Sequence, residues 1–236
     1  MNNIRRLSGN IYSLRVLHRG CATLEHAIAE QKTHRWEPYV PTHFIYSFVS
    51  FNTLYNVDWD DSLTKGYVRS QHYTATEHSK IDAYIDFCCQ DEEFLQIYKD
   101  FFVDYITTHY DVEDILRRLK SIQVDRKYSN GSIWNQELID RFYNACEECL
   151  RGQRFNEDII KIIIDFVYKV RCNLFHGIKS MNELNDPSQQ VRLDIYSLFT
   201  IAINQMVFSY IDYLNKKDII KDFDYLIEDL KWCCSK

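Results

Sequence analysis

Six glycines and three prolines are all that this chain of 236 residues contains, and the scarcity limits the fold more than any motif does. Sandwiches and barrels use turn-forming residues at each strand reversal, so a chain this poor in them is expected to fold as long helices with few connections. Apolar residues recur at i, i+3, i+4 and i+7 nearly throughout. This periodicity predicts helices over 10–32, 42–57, 76–89, 91–109, 111–123, 135–151, 157–176, 188–215 and 217–232. The expected class is all-α.

No repeat or low-complexity linker divides the chain. Loops are expected at 56–70 and 125–132, but apolar helices flank both. A single helical domain over 1–236 follows as the expectation, with 76–123 as an inserted helical subdomain packed on its side. Some helix ends carry their own signals. Thr42 follows Pro41 and is placed to cap the second helix, and Asn156 to cap the helix that starts at 157. In "DPSQ" (186–189), Asp186 reads as a cap, Pro187 as the first helical residue and Gln189 as a side chain reaching back.

The formal charge of −6 and a pI near 5.8 give no general attraction to nucleic acid or membrane. A polyanion would need a local patch. Candidates are "RRLKSIQVDRK" (117–127) and the series Arg5, Arg6, Arg15 and Arg19, all of which equally suit solvated helix faces. No stretch reaches the roughly 18 apolar residues of a membrane span. The segment "MNNIRRLSGNIYSLRVLHRG" is basic and has no apolar signal core, so the eight cysteines are expected as reduced thiols in the cytoplasm. "CEEC" puts Cys146 and Cys149 on one helix face, but neither "CC" pair supplies a second ligand set at zinc spacing. Neither metal nor other cofactor is expected.

The chemistry concentrates in "VRCNLFHGIKS" (170–180), at the end of a helix apolar on most of its circumference. Such a helix is expected to be central and buried. Its polar residues Lys161, Asp165, Lys169, Cys172 and His176 fall on one stripe, and Asn173 adjoins His176. Arg171 lies about 140° around the helix from His176. A buried arginine needs paired donors, so this helix end calls for a carboxylate, an anionic ligand or a solvated cleft. The dipole at the helix end favours a protonated His176, suited to phosphate contact or proton transfer. On these physical grounds alone, a catalytic group and an ordinary polar helix terminus both stand.

"RCNLFHGIK" resembles the signature of the HEPN superfamily, an Arg followed after four to six residues by His, often as R-N-x-L-F-H-G-x-K. Arg171, Asn173, Leu174, Phe175, His176, Gly177 and Lys179 carry the match. "FVSFNTLYN" (48–56) is similar to an aromatic-rich F-N-x-L-Y helix of several such families, which implies that Asn52 faces the same site. Cys172 departs from the polar residue common after the Arg.

The resemblance implies a HEPN-like helical bundle with additional helices, a homodimer, and two Arg–His motifs meeting at the interface. Many members are metal-independent endoribonucleases acting as toxins or as antiviral or abortive-infection effectors. Others are catalytically inactive and bind RNA, nucleotide or a protein partner. The implied catalytic residues are Arg171, His176 and Asn173, with Asn52 and Lys179 contacting nucleic acid. Implied partners are RNA, a second copy of the chain, and an antitoxin or regulatory protein. Members silenced by a nucleotidyltransferase carry Tyr two positions after the His. Ile178 stands there in this chain, against that form of control.

Overall fold

A computed structural model describes residues 40–56, 76–108, 110–122, 136–175 and 186–217. Within them the chain is all-α, with seven helices and no strand. In chain order they are α1 (Val40–Tyr55), α2 (Glu77–Cys89), α3 (Glu92–Ile106), α4 (Val112–Lys120), α5 (Gln136–Leu150), α6 (Glu157–Phe175) and α7 (Pro187–Lys216). The helix expected at 10–32, most of that at 217–232 and the loops at 57–70 and 125–132 lie outside the described residues.

Polar caps set most of the starts. Thr76, Asp91 and Asp111 accept the backbone N–H of Ser79, Phe94 and Asp114, opening α2, α3 and α4. Asn156 caps α6 through Ile159 N–H at 3.2 Å. Asp186 takes the N–H groups of Ser188 and Gln189, each at 3.0 Å, ahead of Pro187. Gln189 does not mirror this. Its amide oxygen is turned forward to Arg192 at 3.0 Å, where a guanidinium makes the better donor. Thr42 is not a cap either. Helix α1 already begins at Val40, because Pro41 lacks only an N–H that a first turn leaves unpaired anyway.

Gly152 ends α5. Its N–H reaches the Cys149 carbonyl at 2.9 Å, and Gln153 N–H reaches Glu148 at 2.9 Å. That pair of bonds needs a left-handed residue between them, and Gly152 supplies it with φ of 68°.

The centre of the fold is α7 and not α6 as the sequence suggested. Every residue from Ile195 to Phe208 is buried, a run of about 20 Å at helical rise. Helices α1, α2, α3, α4 and α6 all touch α7. Its buried polar groups have acceptors: Ser197 and Thr200 return their hydroxyls to the carbonyls of Leu193 and Tyr196. Asn204 donates to the Ser47 carbonyl of α1 at 3.0 Å. Tyr84 of α2 and Tyr98 of α3 donate to Ile203 and Ala202 carbonyls at 2.7 and 2.5 Å. The buried side chains of α2, α3 and α4 belong to the same continuous core as those of α1, α5, α6 and α7.

Helix α6 joins this core along one side only. Ile159, Ile160, Ile163, Ile164, Phe166 and Val167 are buried. Phe166 stacks on Phe142 of α5 with ring centroids 3.8 Å apart, and Tyr196 of α7 meets both edge-on.

Two substitutions separate packing from backbone strain. Phe142→Ala empties the centre of that aromatic cluster and should cost about 3–5 kcal/mol. Gly152→Ala meets open space around its added Cβ, so only the left-handed conformation opposes it, at about 1–2 kcal/mol. Urea denaturation should rank them in that order.

Candidate functional site

The polar stripe of α6 faces α2. Lys161 Nζ lies 2.8 Å from Asp86 of α2 and 2.5 Å from Glu157 one turn back. Asp165 sits 3.9 Å from His78 Nδ1 and 3.7 Å from Lys169. These pairs are partly solvated and each contributes little to stability. They set the register of α6 on α2 and so fix where the helix end arrives.

Arg171 leaves α6 on another side, toward α1. Its guanidinium carbon lies 5.4 Å from the Phe48 ring centroid and 5.8 Å from that of Tyr168, within cation–π range of both. The Tyr168 hydroxyl donates to Glu77 at 2.5 Å, and Tyr55 donates to the other carboxylate oxygen. Three helices meet here: α1 through Phe48 and Tyr55, α2 through Glu77, α6 through Tyr168 and Arg171. Glu77 is the first residue of α2, where the helix dipole favours a negative charge.

Charge and burial oppose each other at this carboxylate. Burial pushes Glu77 upward, but hydrogen bonds from Tyr168 and Tyr55, with Arg171 and His78 nearby, outweigh it and hold it below the usual glutamate range. Burial pushes both tyrosines well up, and the Glu77 charge adds to that. They remain protonated donors and the carboxylate remains charged. The His78 ring packs on Tyr168 with centroids 5.0 Å apart, placing an imidazole at the rim of the cluster.

The residues singled out from sequence do not all gather. Asn52 is half-buried on α1, one turn beyond Phe48. Its amide oxygen accepts from Asn56 at 2.7 Å, and the Asn56 amide oxygen accepts from Lys80 Nζ at 2.8 Å. Asn52 thus lies beside the Arg171 cluster, in a polar chain joining the end of α1 to α2. Asn173 is half-buried in the last turn of α6, about 200° around the helix from Arg171, and so faces away from the cluster. His176 and Lys179 lie outside the described residues.

Sequence reasoning missed Glu77, Tyr55, Tyr168 and His78. Tyr168 stands at i−3 from Arg171 and was open to detection as its helical neighbour. Glu77 gave only the generic signal of an acid in a first turn.

The other candidates resolve into structure. Arg117 and Arg118 pair with Asp114 of their own helix, and Lys120 lies 6.0 Å over the Tyr143 ring. Cys146 and Cys149 are fully buried, which pushes the Cys149 thiol up to about 12 and Cys146 well above its ordinary value. Among the described residues no group of three or more His, Cys, Asp or Glu side chains is placed to hold a metal. No described helix is long and apolar enough to cross a membrane.

The lowered Glu77 gives a signed pH dependence. Its contribution is fully present above the unfolded glutamate value of about 4.3 and is lost as pH falls toward the lower folded value. Glu77→Gln should therefore be less stable than wild type at pH 7, and the two urea curves should converge near pH 3. A gap of constant size at both pH values would show that the charge is not what stabilises the cluster. Compared with known family models, curated proteins and solved structures, the chain finds no match, so the residues of this cluster carry the functional reading by themselves.

Proposed function

We propose that this chain is a HEPN-type endoribonuclease acting as a homodimer on RNA, as a toxin or as an antiviral or abortive-infection effector. One observation carries the reading. Arg171, the first residue of the R-C-N-L-F-H-G segment, is seated on two aromatic rings where three helices meet. A guanidinium set in that way is preorganised for the oxygens of a phosphate.

RNA supplies its own nucleophile. The 2′-hydroxyl loses its proton and attacks the adjacent phosphorus, and the bond from phosphorus to the 5′-oxygen breaks. Arg171 offsets the charge that builds on the phosphoryl oxygens. His176 transfers a proton to the leaving 5′-oxygen, and Asn173 orients either the imidazole or the phosphate. Asn52 and Lys179 contact the flanking nucleotides. Two motifs meeting across a twofold axis supply the second proton-transfer group. An antitoxin or regulatory protein is the natural counterpart of such an effector, and Ile178 points away from nucleotidyltransferase control.

Purified protein should cut RNA in the presence of chelator and leave DNA intact. Products should carry a 2′,3′-cyclic phosphate or 3′-phosphate and a 5′-hydroxyl. His176→Ala should lower the rate by about 10²–10⁴-fold, and Arg171→Ala should abolish cleavage, both with cooperative melting retained. Sedimentation should give a dimer. Fragments with 5′-phosphate formed only after Mg²⁺ addition would overturn the mechanism. RNA binding without cleavage would instead identify the catalytically inactive form of the same fold.

A further inference from the structure

The cluster behind Arg171 is costly to build. A carboxylate is half-buried at the start of α2, and both of its oxygens are taken by tyrosine hydroxyls from different helices. A structural contact between α1 and α6 needs no charge: two tyrosines facing each other, or a phenylalanine pair, would pack as well. What the charge adds is a fixed negative centre next to a guanidinium. Tyr168 connects the two groups physically, since its ring lies beneath Arg171 and its hydroxyl binds Glu77.

We propose that Glu77 is a positioning residue for Arg171, with Tyr55 and Tyr168 as its struts. This rests on the ribonuclease reading above for its consequence, though not for its geometry. Arginine has four side-chain torsions, and two aromatic faces restrain the guanidinium plane without fixing its place along the rings. A carboxylate held from two sides supplies the missing restraint. The direction of influence agrees, because Arg171 also lowers the Glu77 proton affinity. His78 and Asp165 stand at the rim, with His78 against the outer side of Tyr168. Lys161, Lys169 and Lys80 are engaged with Asp86 and Glu157, with Asp165, and with Asn56 respectively.

The test pairs a structural readout with a catalytic one. In ¹⁵N-arginine spectra of the full chain, Arg171 should give a discrete Nε–Hε signal, assigned by its loss in Arg171→Lys. Glu77→Gln, which keeps the shape and removes the charge, should broaden that signal or move it to the position of free arginine. Tyr168→Phe should do so in part, and Glu77→Asp should restore less than wild type but more than Gln. In cleavage assays Glu77→Gln should lower kcat on the order of 10-fold to 100-fold, with KM little changed, as expected when a transition-state contact is misplaced. Added to Arg171→Lys, it should cause almost no further loss.

An Arg171 signal indifferent to Glu77→Gln would overturn the proposal, and so would fully additive losses in the double variant. Wild-type protein that cuts no RNA would sink the ribonuclease reading alone. The Nε–Hε signal would still decide whether Glu77 holds Arg171.

Discussion

Burial of α7 is the constraint on which the rest of the structure depends. An α-helix that buries all sides for 14 consecutive residues, Ile195–Phe208, has no solvent face, so other helices must surround it. That requirement accounts for α1, α3 and α6 lying against it, and for the aromatic side chains that fill the gaps between cylinders. It also explains the polar details. A buried hydroxyl or amide needs a partner, and α7 carbonyls accept the tyrosine hydroxyls of α2 and α3 in addition to their helical bonds. These two bonds fix both helices along the α7 axis as well as around it.

With α2 fixed on α7, its amino-terminal turn arrives between α1 and α6. Glu77 is therefore placed by contacts several turns away, at Tyr84 and Ile85, more than by its own bonds. The same holds for Arg171. The ion pairs of Lys161 with Asp86 and Glu157 are too solvated to add much stability, yet they determine which residues of α6 come level with the start of α2. Position within the site is thus a consequence of packing along three helices.

The helices were legible in sequence because their apolar period is strong and breakers are few. The start of α6 was read at 157 through Asn156, and α7 was read to within a residue at each end through "DPSQ". Ends lacking such chemistry drifted: α3 stops at Ile106 and α4 at Lys120, each three residues before the apolar pattern does. Centrality was misjudged for a physical reason. The run "DIIKIIIDFVYKV" looks more hydrophobic than α7, but Lys161, Asp165 and Lys169 line up on its solvent side. In α7 the polar residues Ser197, Thr200 and Asn204 are scattered and small enough to be satisfied inside the core. Arg171 was found because arginine at the end of an apolar helix demands a partner. The partner itself, Glu77, was not found, since the bond between them is made by tertiary packing and leaves no periodic trace.

Charge bookkeeping at the site bears on what it can hold. Arg171 faces one carboxylate, and the chain as a whole carries −6. Long-range steering of RNA toward this surface is therefore weak, and screening confines what attraction there is to about 10 Å at ordinary salt. A phosphate brought to Arg171 alone would gain a bidentate contact, but it would also come near the negative charge of Glu77. The balance turns favourable when a second guanidinium or imidazolium approaches the same phosphate. Neither Lys161 nor Lys169 is placed to serve, since each is occupied by an acid of its own stripe. The residues that remain are those just beyond α6, His176 and Lys179, and their counterparts on a second copy of the chain. Electrostatics and the Arg–His resemblance thus make the same demand, that a single motif is too weakly cationic to bind and cleave RNA unaided.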